Sequence, residues 1–168
     1  MGRARTLALA GVALAGVATT AIAADRAPEY DALALFLGAW TQAGSEAVFR
    51  EDCDWFDGRH QVVCHSTRQR EDGTVSRGMS VLGYTPAQGY VYAGIGSRGR
   101  FEMLSGGRYA EGRFTFESTA QEDGKPVTTR IVIGPRTAKG FDFVVHTSTS
   151  GGPWVHADTT VYLLRDTP

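Results

Sequence analysis

Lysine is nearly missing from this chain. Only Lys125 and Lys139 are lysines among 17 basic residues, and the arginines are scattered against 18 acids for a net charge of −1. Nucleic acid and anionic membrane surfaces need clustered cations, so neither is expected as a partner. Cysteine is limited to Cys53 and Cys64, which form no CxxC redox motif. The four histidines, at 60, 65, 146 and 156, show no HxH or HxxxH spacing, so no metal site is expected. A haem would need an inward histidine, with His146 or His156 the candidates, but no cofactor is called for. There is no GxSxG elbow, Walker loop or HExxH helix, and no catalytic residue is assigned. Gly94-Ile95-Gly96 and Gly99 resemble GxGxxG on paper. They join two strands instead of opening a helix, which rules out dinucleotide binding. After Trp40 no stretch holds an apolar period of 3.6 over three turns.

Of long apolar runs there is one, at the start. Arg3 and Arg5 precede an apolar stretch from Leu7 to Val17, and Ala21-Ile22-Ala23 offers the small residues of a cleavage site. The run is short for a bilayer span and leads directly into Asp25 and Arg26. Residues 1–23 therefore read as a signal peptide and 24–168 as a single domain, exported to the periplasm or beyond. Arg3 and Arg5 are not adjacent, so a twin-arginine route is not indicated. With no cysteine at the cleavage point, no membrane anchor is expected after the signal is removed. That removal takes two arginines and no acid, leaving a net charge of about −3.

Glycine is abundant, with 21 residues, and it separates short runs of β-branched and aromatic residues as turns separate strands. One helix is predicted from Pro28 to Leu37, with Leu33, Phe36 and Leu37 on one face. Strands are predicted near 40–43, 46–56, 60–70, 76–84, 89–95, 100–105, 108–118, 127–134, 141–149 and 154–164. Breaks between them include Asp57-Gly58, Gly106-Gly107, Asp123-Gly124 and Gly151-Gly152-Pro153. Short connections favour an antiparallel meander, and a sheet of this many twisted strands tends to close on itself. The expected fold is all-β, an up-and-down barrel of about 8–10 strands with a short N-terminal helix. A two-sheet sandwich is the alternative.

With Asp57-Gly58-Arg59-His60 as a four-residue loop, Phe56 faces Gln61 and Cys53 faces Cys64. That is a non-hydrogen-bonded position, where side chains come closest. Export, register and cysteine number agree on a Cys53–Cys64 disulfide. Phe49, Glu51, Cys53 and Trp55 then face inward with Val62, Cys64, Ser66 and Arg68. Val48, Arg50, Asp52 and Asp54 face outward with Val63, His65, Thr67 and Gln69. Glu51 and Arg68 are inward diagonal neighbours within pairing reach, either in a wet cavity or near a rim. Asp52 opposite His65 reads as an exposed ion pair. With Gly151-Gly152 as a two-residue turn, Phe141, Phe143, Val145 and Thr147 share the inner face with Trp154, His156, Asp158, Thr160 and Tyr162.

Several segments resemble a bacterial lipocalin-like, calycin-type β-barrel family of unknown function. Phe36-Leu37-Gly38-Ala39-Trp40 is similar to the Gly-x-Trp with which lipocalins open their barrel. Val81-Leu82-Gly83-Tyr84-Thr85-Pro86, followed by Tyr90-Val91-Tyr92, is similar to a Leu-Gly-Tyr-Asp-Pro segment, with Thr85 in place of the aspartate. Phe114-Thr115-Phe116-Glu117 and Asp123-Gly124-Lys125-Pro126 then lead into two long strands. The likeness runs from about Phe36 to Leu164. It implies a barrel and a small apolar ligand, and it carries no catalytic residues; the cysteine pair is not part of it. From the residues themselves, Trp40 is expected to plug the closed end against the helix, its indole N–H needing a partner.

The leading expectation is a barrel that binds a small apolar or amphipathic ligand, with Arg68, Glu51, Trp55, Phe143, His156 and Tyr162 around it. Arg68 would hold an acidic end. A hydrolase or isomerase using Glu51 or a His156–Asp158 pair is a second reading. A filled barrel serving an envelope structure or partner is a third. Oligomeric state stays open at this stage.

Overall fold

A computed structural model describes residues 28–44, 49–97 and 99–165. The signal peptide read at 1–23, and Val48, lie outside the described residues. Ten antiparallel strands form a closed up-and-down barrel in which each strand pairs with its sequence neighbours and the last returns to the first. They are β1 (Gly38–Gln42), β2 (Phe49–Trp55), β3 (Gln61–Gln69), β4 (Val75–Thr85), β5 (Gly89–Gly96), β6 (Phe101–Ala110), β7 (Arg113–Glu122), β8 (Lys125–Ile133), β9 (Gly140–Thr149) and β10 (Val155–Leu164).

The predicted helical segment is present and ends one residue early, at Phe36. Helix α1 spans Pro28–Ala32 and tightens at once into a 3-10 turn over Leu33–Phe36. This segment closes one end of the barrel, with Leu33, Leu35 and Phe36 buried. Of its last carbonyls, Ala34 accepts locally from the Leu37 N–H, and the others need partners from outside so short a helix. Arg136, between β8 and β9, supplies them by donating to the Ala34, Leu35 and Leu37 oxygens. Tyr90 on β5 ties down the other end by donating to the Glu29 carbonyl at 3.0 Å.

Trp40 is the central plug. It is fully buried, meets Phe141 edge-on at 4.8 Å, and donates its indole N–H to the Phe36 carbonyl at 2.7 Å. The β2–β3 register follows the expected four-residue loop. Phe56 N–H donates to the Gln61 carbonyl, and every pair from Phe49↔Arg68 to Trp55↔Val62 falls as expected. Cys53 and Cys64 are bonded across this pair with Cα atoms 4.0 Å apart. A disulfide of this kind indicates an oxidising compartment outside the cytoplasm. No helix among the described residues is long and apolar enough to cross a membrane.

Two expected boundaries are corrected. Gly106-Gly107 is not a turn, because β6 runs through both residues. Tyr90 pairs with Gly107 and Tyr92 with Leu104, so β6 carries one extra residue there as a bulge. Gly106 adopts the left-handed φ of 71° that a side chain would resist. The turn itself is Glu111-Gly112, both at positive φ. Beyond the bulge, β6 and β7 diverge: only Arg108–Ala110 pair with Arg113–Thr115, and the rest of this seam carries no ladder.

The last hairpin holds its expected register from Gly140↔Leu163 to Val145↔Asp158, then shifts by one residue between His156 and Asp158. The expected two-residue turn is instead a longer connection, in which Gly152 N–H donates to the Thr149 carbonyl and its own carbonyl accepts from the Ser148 hydroxyl. This bulge swaps the face of everything between it and the loop. His156 is therefore opposite His146 instead of Thr147.

Candidate functional site

The inward alternation of the strands leaves two adjoining spaces in the barrel. The inner one is a cavity of about 110 Å³ above the Phe36 plug, walled by Leu82, Leu104, Phe116, Ile131, Phe141 and Phe143, with the Cys64 end of the disulfide in its wall. The outer one is a mouth of about 380 Å³, bordered by Arg68, Arg70, Arg77 and Arg100. Glu51, Ser80, Tyr92, Glu102 and Tyr162 line both spaces and form the throat between them. Among the inward positions of β3 to β5 that line the mouth, Ser66, Gly78, Ser80, Gly94 and Gly96 carry small side chains or none, which leaves room there. A Cβ at position 94 would lie 2.6 Å from the Tyr92 hydroxyl, so the missing side chain makes room for that hydroxyl in the throat.

Burial, and then the neighbouring Asp52 charge, push the Glu51 carboxyl up to about 7. No donor among the described residues compensates it, so at neutral pH a large fraction is protonated. Tyr162 is pushed up to about 12 by burial and by Glu51, with its hydroxyl accepting from the Gln42 amide at 3.2 Å. Tyr92 is raised by burial, then by Glu102 and Glu51. Both phenols stay neutral and able to donate.

The predicted site residues divide. Glu51, Phe143 and Tyr162 line the cavity as expected. Arg68 is at the mouth, and the expected Glu51–Arg68 pair is not made. Arg68 donates to the Gln42 side-chain oxygen at 2.8 Å and lies over the Phe49 ring, because Glu51 pairs with Ser66 while Arg68 sits one step further toward the rim. Trp55 faces inward by register but belongs to the closed end, where Arg59 stacks on it at 5.4 Å, and it does not border the cavity. His156 is corrected outright. The β10 bulge puts it on the exposed outer face, with its Nε2 bonded to the Thr159 hydroxyl and its ring edge-on to His146. A His156–Asp158 acid–base pair and a lumen haem ligand at His156 fail for the same reason, and His146 faces outward by the regular alternation of β9. Asp52 bonds Arg165 instead of His65.

The one grouping of potential metal donors among the described residues is Glu51, Cys53 and Cys64. With both sulfurs in the disulfide, a single carboxylate remains, which does not hold an ion.

Tyr92, Glu102 and the arginines at 70, 77 and 100 were missed from the sequence. Extending the β2–β3 register across β4 and β5 finds the tyrosine, since Val62↔Leu82↔Tyr92 lies on the inner face. Arg70 and Arg100 sit beside turns, where alternation gives no facing, and Arg77 lies in β4 opposite the outward Thr67. Comparison of the sequence with protein-family models and with curated proteins finds no match.

Proposed function

We propose that this is an exported, periplasmic barrel that binds a small amphipathic molecule, its apolar part in the inner cavity and its polar end toward the mouth. The observation that carries this reading is a pair of adjoining spaces that share five polar lining residues, an aromatic and aliphatic cavity inside and an arginine-bearing mouth outside. The basic start and Ala-Ile-Ala site of residues 1–23 support export, and so does the disulfide. The likeness to bacterial lipocalin-like barrels, through Gly38-Ala39-Trp40 and Leu82-Gly83-Tyr84, supports the same reading.

Glu51 favours a second reading, an acid–base enzyme, since a buried carboxyl near 7 suits proton transfer at neutral pH. Glu102 and the Ser80, Tyr92 and Tyr162 hydroxyls line the cavity with it, but Glu102 is engaged by Arg100 and no histidine lines the cavity. Native mass spectrometry of protein recovered from the periplasm tests the binding reading. A co-purified small molecule released on denaturation is the expected result. A fatty-acid-like fluorescent probe should bind wild type and lose affinity in Arg68→Ala. No binding to wild type favours the filled-barrel alternative.

A further inference from the structure

We infer that the barrel takes up an anionic amphiphile together with one proton, the tail in the inner cavity, the charged end among the arginines of the mouth, and the proton on Glu51 at the junction. The inference rests on the binding reading above and names the ligand class for that site.

The geometry supplies three levels in order. Deepest are hydrocarbon walls with no charge. At the rim are the guanidiniums of Arg68, Arg70 and Arg100, of which Arg100 is paired with an acid, Glu102, at 3.3 Å; Arg77 borders the mouth from β4 at a position opposite the outward Thr67. Arg68 makes no ion pair among the described residues, and Arg70 has only the exposed Asp72 near it, so the rim presents positive charge to an anion. Between these levels lies Glu51. The groups around it are Gln42 on β1, Asp52 on its own strand, Arg68 on β3, Ser80 on β4, Tyr92 on β5, Glu102 on β6 and Tyr162 on β10. Gln42 and Phe49 hold Arg68 toward the rim, and Arg100 engages Glu102, so neither neutralises the Glu51 carboxylate.

An ionised Glu51 beneath a bound anion would add like-charge repulsion in a site shielded from water. Protonation from solvent removes that repulsion and creates an O–H that donates to an acceptor oxygen joining tail and charge. A cationic amphiphile would instead have to pass the rim guanidiniums. Because burial and Asp52 already push the Glu51 carboxyl up to about 7, an anion in the mouth raises it further, and binding draws in a proton.

Octyl sulfate tests this directly, because its charge is fixed across the relevant pH range and any proton taken up belongs to the protein. Calorimetric titrations from pH 6 to pH 8.5, in buffers of different ionisation enthalpy, read affinity and proton uptake together. Wild-type affinity is expected to fall roughly tenfold across that range, one pKa unit of linkage, with up to about half a proton taken up per ligand at pH 7. Glu51→Gln is expected to bind without proton uptake, independently of pH, and more tightly than wild type at pH 8.5. Wild-type binding that is flat with pH overturns this inference and leaves the binding reading standing. Proton uptake that persists in Glu51→Gln overturns the assignment to Glu51. Tighter binding of octylammonium than of octyl sulfate overturns the ligand class. Failure of both probes to bind overturns the inference and the binding reading together.

Discussion

Trp40 joins the two halves of the closed end: its ring fills the space against Phe141, and its N–H satisfies a carbonyl that the 3-10 turn leaves open. Truncation removes both contributions and leaves a void that neighbouring strands cannot fill. Trp40→Ala is therefore expected to cost about 3–5 kcal/mol, measured by chemical denaturation. An unchanged midpoint would refute the plug. Glu51 acts in the opposite sense. Its carboxyl moves from an ordinary 4.5 to about 7 on folding, so the folded state holds the proton more tightly than the unfolded chain. Stability is then greatest below about pH 4.5, declines as pH rises toward 7, and carries the full cost of the buried carboxylate above that. Glu51→Gln should match wild type near pH 4 and be more stable by up to about 3 kcal/mol at pH 8. Parallel stability profiles for the two proteins would show that Glu51 is not desolvated in solution. Cys53 and Cys64 close a short loop, sequence separation 11, so the bond contributes about 2–3 kcal/mol. Thiol labelling after denaturation without reductant should find no free cysteine, and two labelled thiols would remove the bond.

At the level of strands, the barrel is unevenly stitched. Every residue of β3 has a partner on β4, whereas β6 and β7 share three residue pairs beside their turn. Amides of β6 from Phe101 to Ser105 that point toward this seam have no ladder to protect them. They are expected to exchange with deuterium at least about 100-fold faster than amides in the β3–β4 ladder. Equal protection would mean the seam is closed in solution. The same unevenness explains what the sequence revealed. The β2–β3 hairpin was legible because the loop, the alternation of Phe49 to Trp55 and the cysteine pair give three independent checks on one register. The number of strands followed from turn residues. Gly106-Gly107 misled because glycine serves bulges as readily as turns, and Glu111-Gly112, the real turn, looks no stronger in sequence. The β10 bulge has no glycine or proline at all, only Ala157, so the facing of His156 depended on tertiary pairing with β9. The cavity residues followed alternation and were partly recovered. The rim arginines did not, since they gather only when turns from several hairpins meet at one end.

For the molecule as a whole, charge is distributed against its total. The chain carries a net charge of −1, yet one end of the barrel presents Arg68, Arg70, Arg77 and Arg100 around an opening with two carboxylates set deeper in. Asp52 and Glu117 lie on the outer wall and are engaged by Arg165 and Arg130, so they do little to cancel the field at the mouth. An approaching anion therefore meets a positive opening on a slightly negative body, which guides it to one end. Guidance of this kind acts over distance and is screened beyond a Debye length, about 10 Å at 0.1 M salt. Affinity arising from burial of the tail in the cavity is far less sensitive to salt. Stopped-flow association of an anionic fluorescent amphiphile should slow several-fold as ionic strength rises from about 0.01 M to 0.3 M, with a much smaller change in dissociation. Arg70→Ala combined with Arg77→Ala removes two exposed rim charges without touching the hydrocarbon wall, and should flatten that dependence. An association rate that ignores salt in wild type would mean that the rim arginines do not steer the ligand.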